Sequence, residues 1–215
     1  MKNDKLVNKT TILTTVVCLI PVIVGIILYN KLPENIVVHW DSNGEPNGWA
    51  HKMVGTIVFP GILVLVNLLF PALLRTDPKY SNINEKTKHI IQWFIPIVAI
   101  FCSGVTLADA LGVDVKIALI APMFMGLLFV IIGNYLPKMT QSYTVGIKLP
   151  WTLNSEENWN KTHRMAGFLW VIGGIAMIIT GALGIGSSSI VVILFILVLV
   201  PVIYSYLLYR KNGNM

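Results

Sequence analysis

Two polar segments of this chain contain the residues whose types and spacing could do chemistry. The first, Lys31 to Met53, contains two histidines and two nearby carboxylates that could act together, namely His39, Asp41, Glu45 and His51. Imidazole and carboxylate groups are common metal ligands, and a metal bound by this segment could support hydrolysis. The spacing of these residues matches no compact ligand motif, and a structural loop built from turns explains the same stretch. We therefore predict no metal and no cofactor here.

The same segment has the features of an exposed recognition loop. Asn35 to Trp40 is predicted to be a short extended run, followed by turns over residues 41–44 and 45–48. Its two tryptophans are suited to anchoring the loop at the lipid interface. The candidate residues of this loop are His39, Trp40, Gly44, Pro46, Gly48 and Trp49.

The second polar segment, Asn134 to Arg164, is named here the signature segment. It is the longest run of the chain without an apolar block of membrane length, and it is rich in Asn, Thr, Ser, Trp and His. Ser155, followed by two glutamates, predicts the start of a helix that continues into the next apolar block. Trp159 and His163 are four residues apart and would share one face of that helix.

We hypothesise a site for a ligand or partner in the signature segment. The alternative is structural, with the tryptophans as interface anchors and the histidine as a surface or capping residue. The candidate residues are Lys148, Pro150, Trp151, Thr152, Asn158, Trp159, Thr162, His163 and Arg164.

The composition excludes an ordinary soluble domain. Of the 215 residues, 55% are hydrophobic and 12% are charged, whereas a soluble domain has about 25% charged residues. The net charge of +6 requires no nucleic-acid partner, because lysines that flank membrane helices give the same excess. Cys18 and Cys102 fall in apolar blocks, which indicates neither a disulfide nor a metal site. No P-loop, GxSxG, CxxC or HExxH motif is present, and we predict that the protein is not an enzyme.

Six apolar blocks are long enough to cross a bilayer as helices. They cover Thr11 to Tyr29, Val54 to Leu74, Ile90 to Ala108, Ile117 to Gly133, Met165 to Leu183 and Ile190 to Tyr209. The predicted fold is an all-α membrane protein, a bundle of six transmembrane helices in one integral-membrane domain over residues 1–215. Its parts are residues 11–74 with the loop 31–53, residues 90–133, the signature segment 134–164, and residues 165–209.

The basic residues predict the orientation. Thirteen of the 16 Lys and Arg residues lie at the two termini, between spans two and three, or in the signature segment. Only Lys31, Lys52 and Lys116 lie on the other side. Cytoplasmic loops carry the excess of basic residues. Both termini and the signature segment are therefore predicted to be cytoplasmic, where basic residues meet anionic lipid, and the loop 31–53 extracellular.

Small residues at helical spacing predict close helix contacts. They form two series: Gly104, Ala108 and Gly112 at the end of the third span and just after it, and Gly167, Gly174 and Gly181 in the fifth. The second series indicates that the fifth span is central to the bundle.

Two motifs in the loop 31–53 carry a family resemblance. Leu32-Pro33 and His39-Trp40 are followed by Gly44-Glu45-Pro46-Asn47-Gly48-Trp49 and then Lys52. This pattern resembles a domain of unknown function at the N-terminus of many small bacterial membrane proteins.

The signature segment makes the resemblance more specific. Its motifs are Asn134-Tyr135-Leu136-Pro137, Gly146-Ile147-Lys148, Pro150-Trp151-Thr152-Leu153, Glu157-Asn158-Trp159 and Thr162-His163-Arg164. They resemble the signature of the SdpI immunity-protein family, which usually has arginine where this chain has Lys148 and often asparagine where it has Ser142. Lysine keeps the charge and loses the planar fork of arginine.

The resemblance implies a multi-pass protein of the bacterial cell membrane that protects its host from a secreted antimicrobial peptide toxin. It also implies a receptor role, in which a winged-helix repressor is held at the membrane. The chain itself offers two alternatives. Asn67 and Gln92 within the second and third spans would suit a transporter of small molecules or peptides, although a coupled transporter usually needs a carboxylate or histidine near mid-membrane. The four residues His39, Asp41, Glu45 and His51 would suit a metal-dependent membrane enzyme.

Overall fold

The computed structural model describes residues 8–185 and 188–212, and the N-terminal Lys2 and Lys5 of the orientation argument lie outside this part. Six helices in it are long and apolar enough to cross a membrane, which confirms the predicted all-α membrane fold. The helices are α1 (Lys9–Leu28), α2 (Phe59–Arg75), α3 (Glu85–Ala110), α4 (Ile117–Tyr135), α5 (Pro150–Asn154), α6 (Glu156–Ala182) and α7 (Ser188–Asn212). A π-helical turn, Val54–Val58, leads into α2. Only the short α5 is not a candidate span.

The chain divides into two compact units. The first consists of Met1–Thr76 and Lys88–Ile117, and the second of Asp77–Thr87 and Ala118–Met215. The second unit thus combines the whole signature segment with the short connection between the second and third spans. That connection was not among the predicted site residues.

In the first unit, the loop between α1 and α2 is a two-stranded antiparallel hairpin. Strand β1 spans Asn35–Trp40, as predicted, and strand β2 spans Pro46–His51. The predicted turn over residues 45–48 is wrong, because β2 already begins at Pro46. The turn over residues 41–44 is confirmed: Gly44 has a φ of 84°, and the Asp41 carboxylate accepts the backbone N–H groups of Asn43 and Glu45 at 2.8 and 2.9 Å.

The base of the hairpin is fixed to the start of the second span. Ile36 of β1 is 2% exposed and packs so closely on Gly55 that a Cβ there would lie 2.7 Å from its side chain. Lys52 is 9% exposed, and its Nζ lies 3.0 Å from Glu34 Oε1 and 3.3 Å from Leu32 O. Its ammonium group also lies 4.8 Å from the centre of the Tyr29 ring. These contacts hold β1 against the helix and leave it little freedom.

The two polar residues predicted at membrane depth connect helices of the first unit. Asn67 of α2 donates to the hydroxyls of Thr14 and Thr15 at 3.2 and 2.9 Å. Gln92 of α3 donates to Thr11 Oγ1 at 3.0 Å. Hydrogen bonds between spans stabilise their packing where lipid offers no partner. These amides therefore have a packing role.

In the second unit, α6 packs against α4 along a seam of glycines. A Cβ at Gly174 would lie 2.5 Å from Gly126 O, and a Cβ at Gly126 would lie 2.5 Å from Gly174 O. Gly133 and Gly167 make the same reciprocal approach at 2.8 and 2.7 Å. The predicted glycine face of the fifth span is therefore confirmed, since only glycine lets the two backbones come so close.

The other predicted glycine face is wrong. A Cβ at Gly104 or at Gly112 would meet no atom of the described residues within 4 Å. Spacing by four places small residues on one side of a helix, but it does not decide whether another helix lies against that side.

Helix α6 also holds α7 at its proline. Pro201 has no N–H, so the carbonyl of Leu197 lacks its usual donor one turn later. The indole Nε1 of Trp170 donates to Leu197 O at 2.9 Å, and Phe129 packs edge-on against the same indole at 5.1 Å. This agrees with the rule that a neighbouring helix satisfies the group that a membrane proline frees.

A matched pair of alanine substitutions tests the glycine seam. We expect Gly174→Ala to lower the free energy of unfolding by about 1–3 kcal/mol, because its methyl group collides with backbone that cannot move aside. Gly104→Ala puts the same methyl group at an open position and should leave stability unchanged. Unfolding in mixed micelles measures both. Equal stability of the two variants would contradict the packing described for α4 and α6.

Candidate functional site

The candidate site is a folded layer at one end of the second unit. We name it the polar layer and define it as residues 77–84, residues 136–149, α5, and α6 as far as Arg164. Two hydrogen bonds to backbone carbonyls join residues 77–84 to the rest of the layer. Thr140 Oγ1 donates to Asn82 O at 2.7 Å, and Asn84 Nδ2 donates to Lys138 O at 3.3 Å. The layer is thus built from two loops that are far apart in the sequence.

The centre of the polar layer is a stacked pair on the first turns of α6. The Trp159 and His163 rings lie 3.9 Å apart with planes inclined by 21°. The predicted helix start is confirmed, because Ser155 Oγ accepts the N–H of Asn158 at 3.2 Å. Gly146 crosses this pair with a φ of 117°, and a Cβ there would lie 2.6 Å from the indole. Only glycine fits, so the stack sets the path of the loop.

Both rings of the stack bind backbone. Trp159 Nε1 donates to Met139 O at 2.8 Å. His163 Nδ1 lies 2.9 Å from Trp159 O, and the N–H of Ile147 donates to His163 Nε2 at 3.0 Å. The carbonyl requires a proton on Nδ1 and the amide requires a lone pair on Nε2, so His163 is a neutral imidazole. With 0% and 1% exposure, the two rings are interior residues of the layer.

Thr152 and Gln141 fix the short helix α5. Thr152 Oγ1 accepts the N–H of Leu149 at 2.9 Å and lies 2.8 Å from Ile147 O, to which it donates. Gln141 Nε2 lies 2.7 Å from Thr152 O and 2.8 Å from Leu153 O. Thr152 and Gln141 are both buried, and these bonds satisfy backbone groups of an irregular stretch that forms no regular helix or strand.

The layer is joined to α7 through Ser205. Asn158 Nδ2 donates to Ser205 O at 2.9 Å, and Asn158 Oδ1 accepts from Thr162 Oγ1 at 3.0 Å. Trp151 Nε1 donates to Ser205 Oγ at 2.9 Å. The Trp151 ring also packs on two tyrosines of α7, edge-on at 5.4 Å with Tyr206 and stacked at 6.1 Å with Tyr209. Trp151 therefore connects α5 with α7.

Asp77 is the central residue that the sequence did not reveal. Its carboxylate is 5% exposed and accepts Ser142 Oγ at 2.5 Å, the N–H of Thr144 at 2.9 Å and the N–H of Lys79 at 2.8 Å. Burial raises the pKa of Asp77, but the hydrogen bonds outweigh it and hold that pKa below its ordinary value. Lys79 Nζ donates to Gln141 Oε1 beside it. No local signal pointed to Asp77, because its partners Ser142 and Thr144 lie 65 and 67 residues away along the chain.

The predicted site residues separate into two groups. Five are buried and bonded within the layer or to α7, and these are Thr152, Asn158, Trp159, Thr162 and His163. Lys148, Pro150 and Arg164 are exposed, and Trp151 is half-buried. Tyr143, which was not predicted, is 46% exposed and lies with its ring 5.8 Å from Lys79 Nζ. A ligand or partner would therefore meet the exposed group.

The predicted residues of the first loop take places in the hairpin. His39 Nδ1 lies 2.5 Å from Asn47 Oδ1 across the strands, and Gly48 is required opposite His39, where a Cβ would be 2.9 Å from the histidine Cβ. Trp40 pairs with Pro46. Trp49 is 61% exposed. This loop therefore presents one large aromatic side chain to its surroundings.

The hairpin does not assemble the four possible metal ligands. His51 Nε2 lies 3.2 Å from Glu34 Oε2, and Asp41 is engaged in the turn. Within residues 8–185 and 188–212, no group of three His, Cys, Asp or Glu side chains is placed to hold a metal ion.

Six spanning helices, a small hairpin and a layer of satisfied polar groups define a polytopic membrane protein. Residues 138–205 match the model of the SdpI/YfhL protein family, and residues 16–64 match a domain of unknown function, DUF1648. The chain is 26% identical over 211 residues to Immunity protein SdpI of Bacillus subtilis (strain 168), covering 96% of this chain and 99% of that protein. No solved structure matches. The chain is a multi-pass bacterial membrane protein, and its residues 138–205 are similar to the SdpI/YfhL protein family.

His163 and its neighbour Arg164 form a matched pair for testing the interior of the layer. We expect His163→Ala to lower the free energy of unfolding by about 2–4 kcal/mol, since it removes the buried stack and leaves the N–H of Ile147 without its acceptor. Arg164→Ala changes an exposed residue and should have little effect. Thermal unfolding in detergent compares them. A stable His163→Ala protein would show that the stack does not organise the loop.

The lowered pKa of Asp77 predicts an acid sensitivity of the layer. Because the pKa is lower in the folded protein, the stabilisation is complete above the ordinary carboxyl pKa and is lost as the pH falls through the lowered value. Limited proteolysis of residues 77–84 and 139–149 should therefore accelerate in acid. Asp77→Asn should be cleaved faster already at neutral pH and should respond less to acid. Glu156→Gln, at an exposed carboxylate, should behave like the wild type; an identical pH response in all three proteins would contradict this role.

Proposed function

We propose that this protein is a membrane immunity protein that protects the cell producing it from a secreted antimicrobial peptide toxin. The observation that carries the proposal is its similarity, over nearly the whole length of both chains, to Immunity protein SdpI of Bacillus subtilis. The two matched segments include the hairpin and most of the polar layer, which are the two folded parts outside the apolar spans.

The distribution of basic residues supports placing the hairpin and the polar layer on opposite faces of the membrane, which suggests different roles for them. With both termini in the cytoplasm, the hairpin faces outward and is the part that a secreted peptide reaches first. The exposed Trp49 offers apolar contact area to such a peptide at low entropic cost. Protection then comes from binding the toxin at the membrane surface.

We further propose that the protein senses the toxin and sequesters a winged-helix repressor at the cytoplasmic face. The polar layer has the properties this role needs. Its interior is closed by internal hydrogen bonds, while Tyr143, Lys148 and Pro150 remain exposed beside it. A rigid interior that presents exposed polar and aromatic side chains suits recognition of a protein partner.

Survival under toxin tests the protective role. The chain is expressed in a sensitive Gram-positive host, and a secreted peptide toxin is titrated against cells with the wild type, the empty vector and two variants. We expect the wild type to shift killing to higher toxin concentrations. Trp49→Ala should reduce that shift, because it removes the aromatic contact of the hairpin. Tyr143→Ala should retain it, because this exposed aromatic residue lies in the other unit.

Membrane levels of each variant serve as the control for expression. Absence of any shift for the wild type, with the protein confirmed in the membrane, would contradict immunity against that toxin. Full protection by Trp49→Ala would contradict a role for the hairpin aromatic residue.

A further inference from the structure

The hairpin has a free strand edge, and we propose that this edge binds an extended peptide segment by strand addition. The site is the backbone of β1 at Asn35 and Val37. Its ligand class is a peptide in β conformation, held mainly by main-chain hydrogen bonds. The identification of this peptide as the toxin rests on the proposed immunity function.

The register of the hairpin identifies the groups at the edge. The N–H of Lys52 donates to Glu34 O at 2.8 Å, and the two residues are opposite each other, so they form a hydrogen-bonded pair. Hydrogen-bonded and non-hydrogen-bonded pairs alternate along antiparallel strands. Asn35, opposite His51, and Val37, opposite Trp49, are therefore non-hydrogen-bonded positions. Their N–H and C=O groups point away from β2.

Among residues 8–185 and 188–212, no hydrogen bond from a loop, a turn or a side chain reaches these backbone groups of Asn35 and Val37. The sheet has only the strands β1 and β2, so the outer side of β1 is an edge. Asn35 and Val37 are exposed and partly exposed, respectively. The outward N–H and C=O groups of Asn35 and Val37 are thus available to pair with another strand.

The sequence of β1 lacks the usual protection of an edge. Exposed edges are commonly guarded by lysine, proline or a covering element. β1 reads NIVVHW, without lysine or proline, whereas β2 begins with Pro46. The register irregularity of the hairpin begins only after Val37. The stretch from Asn35 to Val37 is therefore the regular and unguarded part.

The edge is also held in place before any ligand arrives. Ile36, between the two edge residues, is buried against Gly55, and Lys52 is fixed by Glu34 and Leu32 O. A strand that is already ordered loses little entropy when a peptide pairs with it. Strand β1 is therefore an ordered template for a pairing peptide, and it lies next to the second span but outside the apolar spans.

A pair of synthetic peptides tests strand addition on the unaltered protein. The probe is a fluorescein-labelled ten-residue peptide of alternating valine and threonine with lysine at both ends. Its twin is N-methylated at every second amide, which removes the pairing donors of one edge and keeps the composition. Fluorescence anisotropy with the full chain in nanodiscs should show binding of the probe and not of the twin. Empty nanodiscs correct for partition into lipid.

Variants at the edge locate the binding. Asn35→Pro with Val37→Pro removes both outward N–H groups and no hairpin bond, and should weaken binding about 25-fold if each bond contributes about fivefold. Asn35→Ala with Val37→Ala keeps both N–H groups and should bind like the wild type. Equal binding of the two peptides, or no binding of the probe, would overturn the proposal without reference to how any variant folds.

The survival assay separates this inference from the proposed function. Protection by the wild type together with no binding of the probe leaves immunity standing and overturns strand addition. Binding of the probe that is lost in the proline variant, without protection in cells, supports the strand site and overturns the toxin as its ligand.

Discussion

The stacked pair of Trp159 and His163 is the interaction on which the polar layer depends. A segment at the membrane boundary must satisfy its backbone within the protein wherever water is excluded. The two rings do this for both ends of the loop, since Trp159 binds Met139 O and His163 binds the N–H of Ile147. Gly146 then crosses the stack at a distance that no side chain allows. The place of Thr152 and α5 follows from this path, because Thr152 binds Ile147 O.

Local signals in the sequence predicted the features that depend on local chemistry. Six apolar blocks, the helix start at Ser155 and the shared face of Trp159 and His163 are all decided within a few residues, and the structure has them. Contacts between distant residues could not be predicted this way. Asp77 lies between the second and third spans and Ser142 lies between the fourth and fifth. The two side chains form a hydrogen bond, but neither residue type specifies the other. The open Gly104 shows the same limit, since a packing face needs a second helix.

The residues that looked most like ligand contacts prove to be internal partners of the fold. Tryptophan, histidine, asparagine and threonine are the side chains that bind ligands, and they are equally the side chains that satisfy an irregular backbone. In the polar layer the second use accounts for Asn158, Trp159, Thr162 and His163. A recognition surface must then come from side chains with exposed area, and residue type alone does not distinguish these from the buried ones.

The hairpin and the polar layer solve the same backbone problem in opposite ways. In the layer, side chains from α5 and α6 bind the free backbone groups of the loop, which closes it to other molecules. In the hairpin, β2 takes up one side of β1 and leaves the other side to water. Water is easily exchanged for a second strand, because the strand supplies the same donors and acceptors at a spacing already set by β1. An ordered, unguarded edge beside an exposed tryptophan therefore favours recognition of main chain over recognition of any particular side chain.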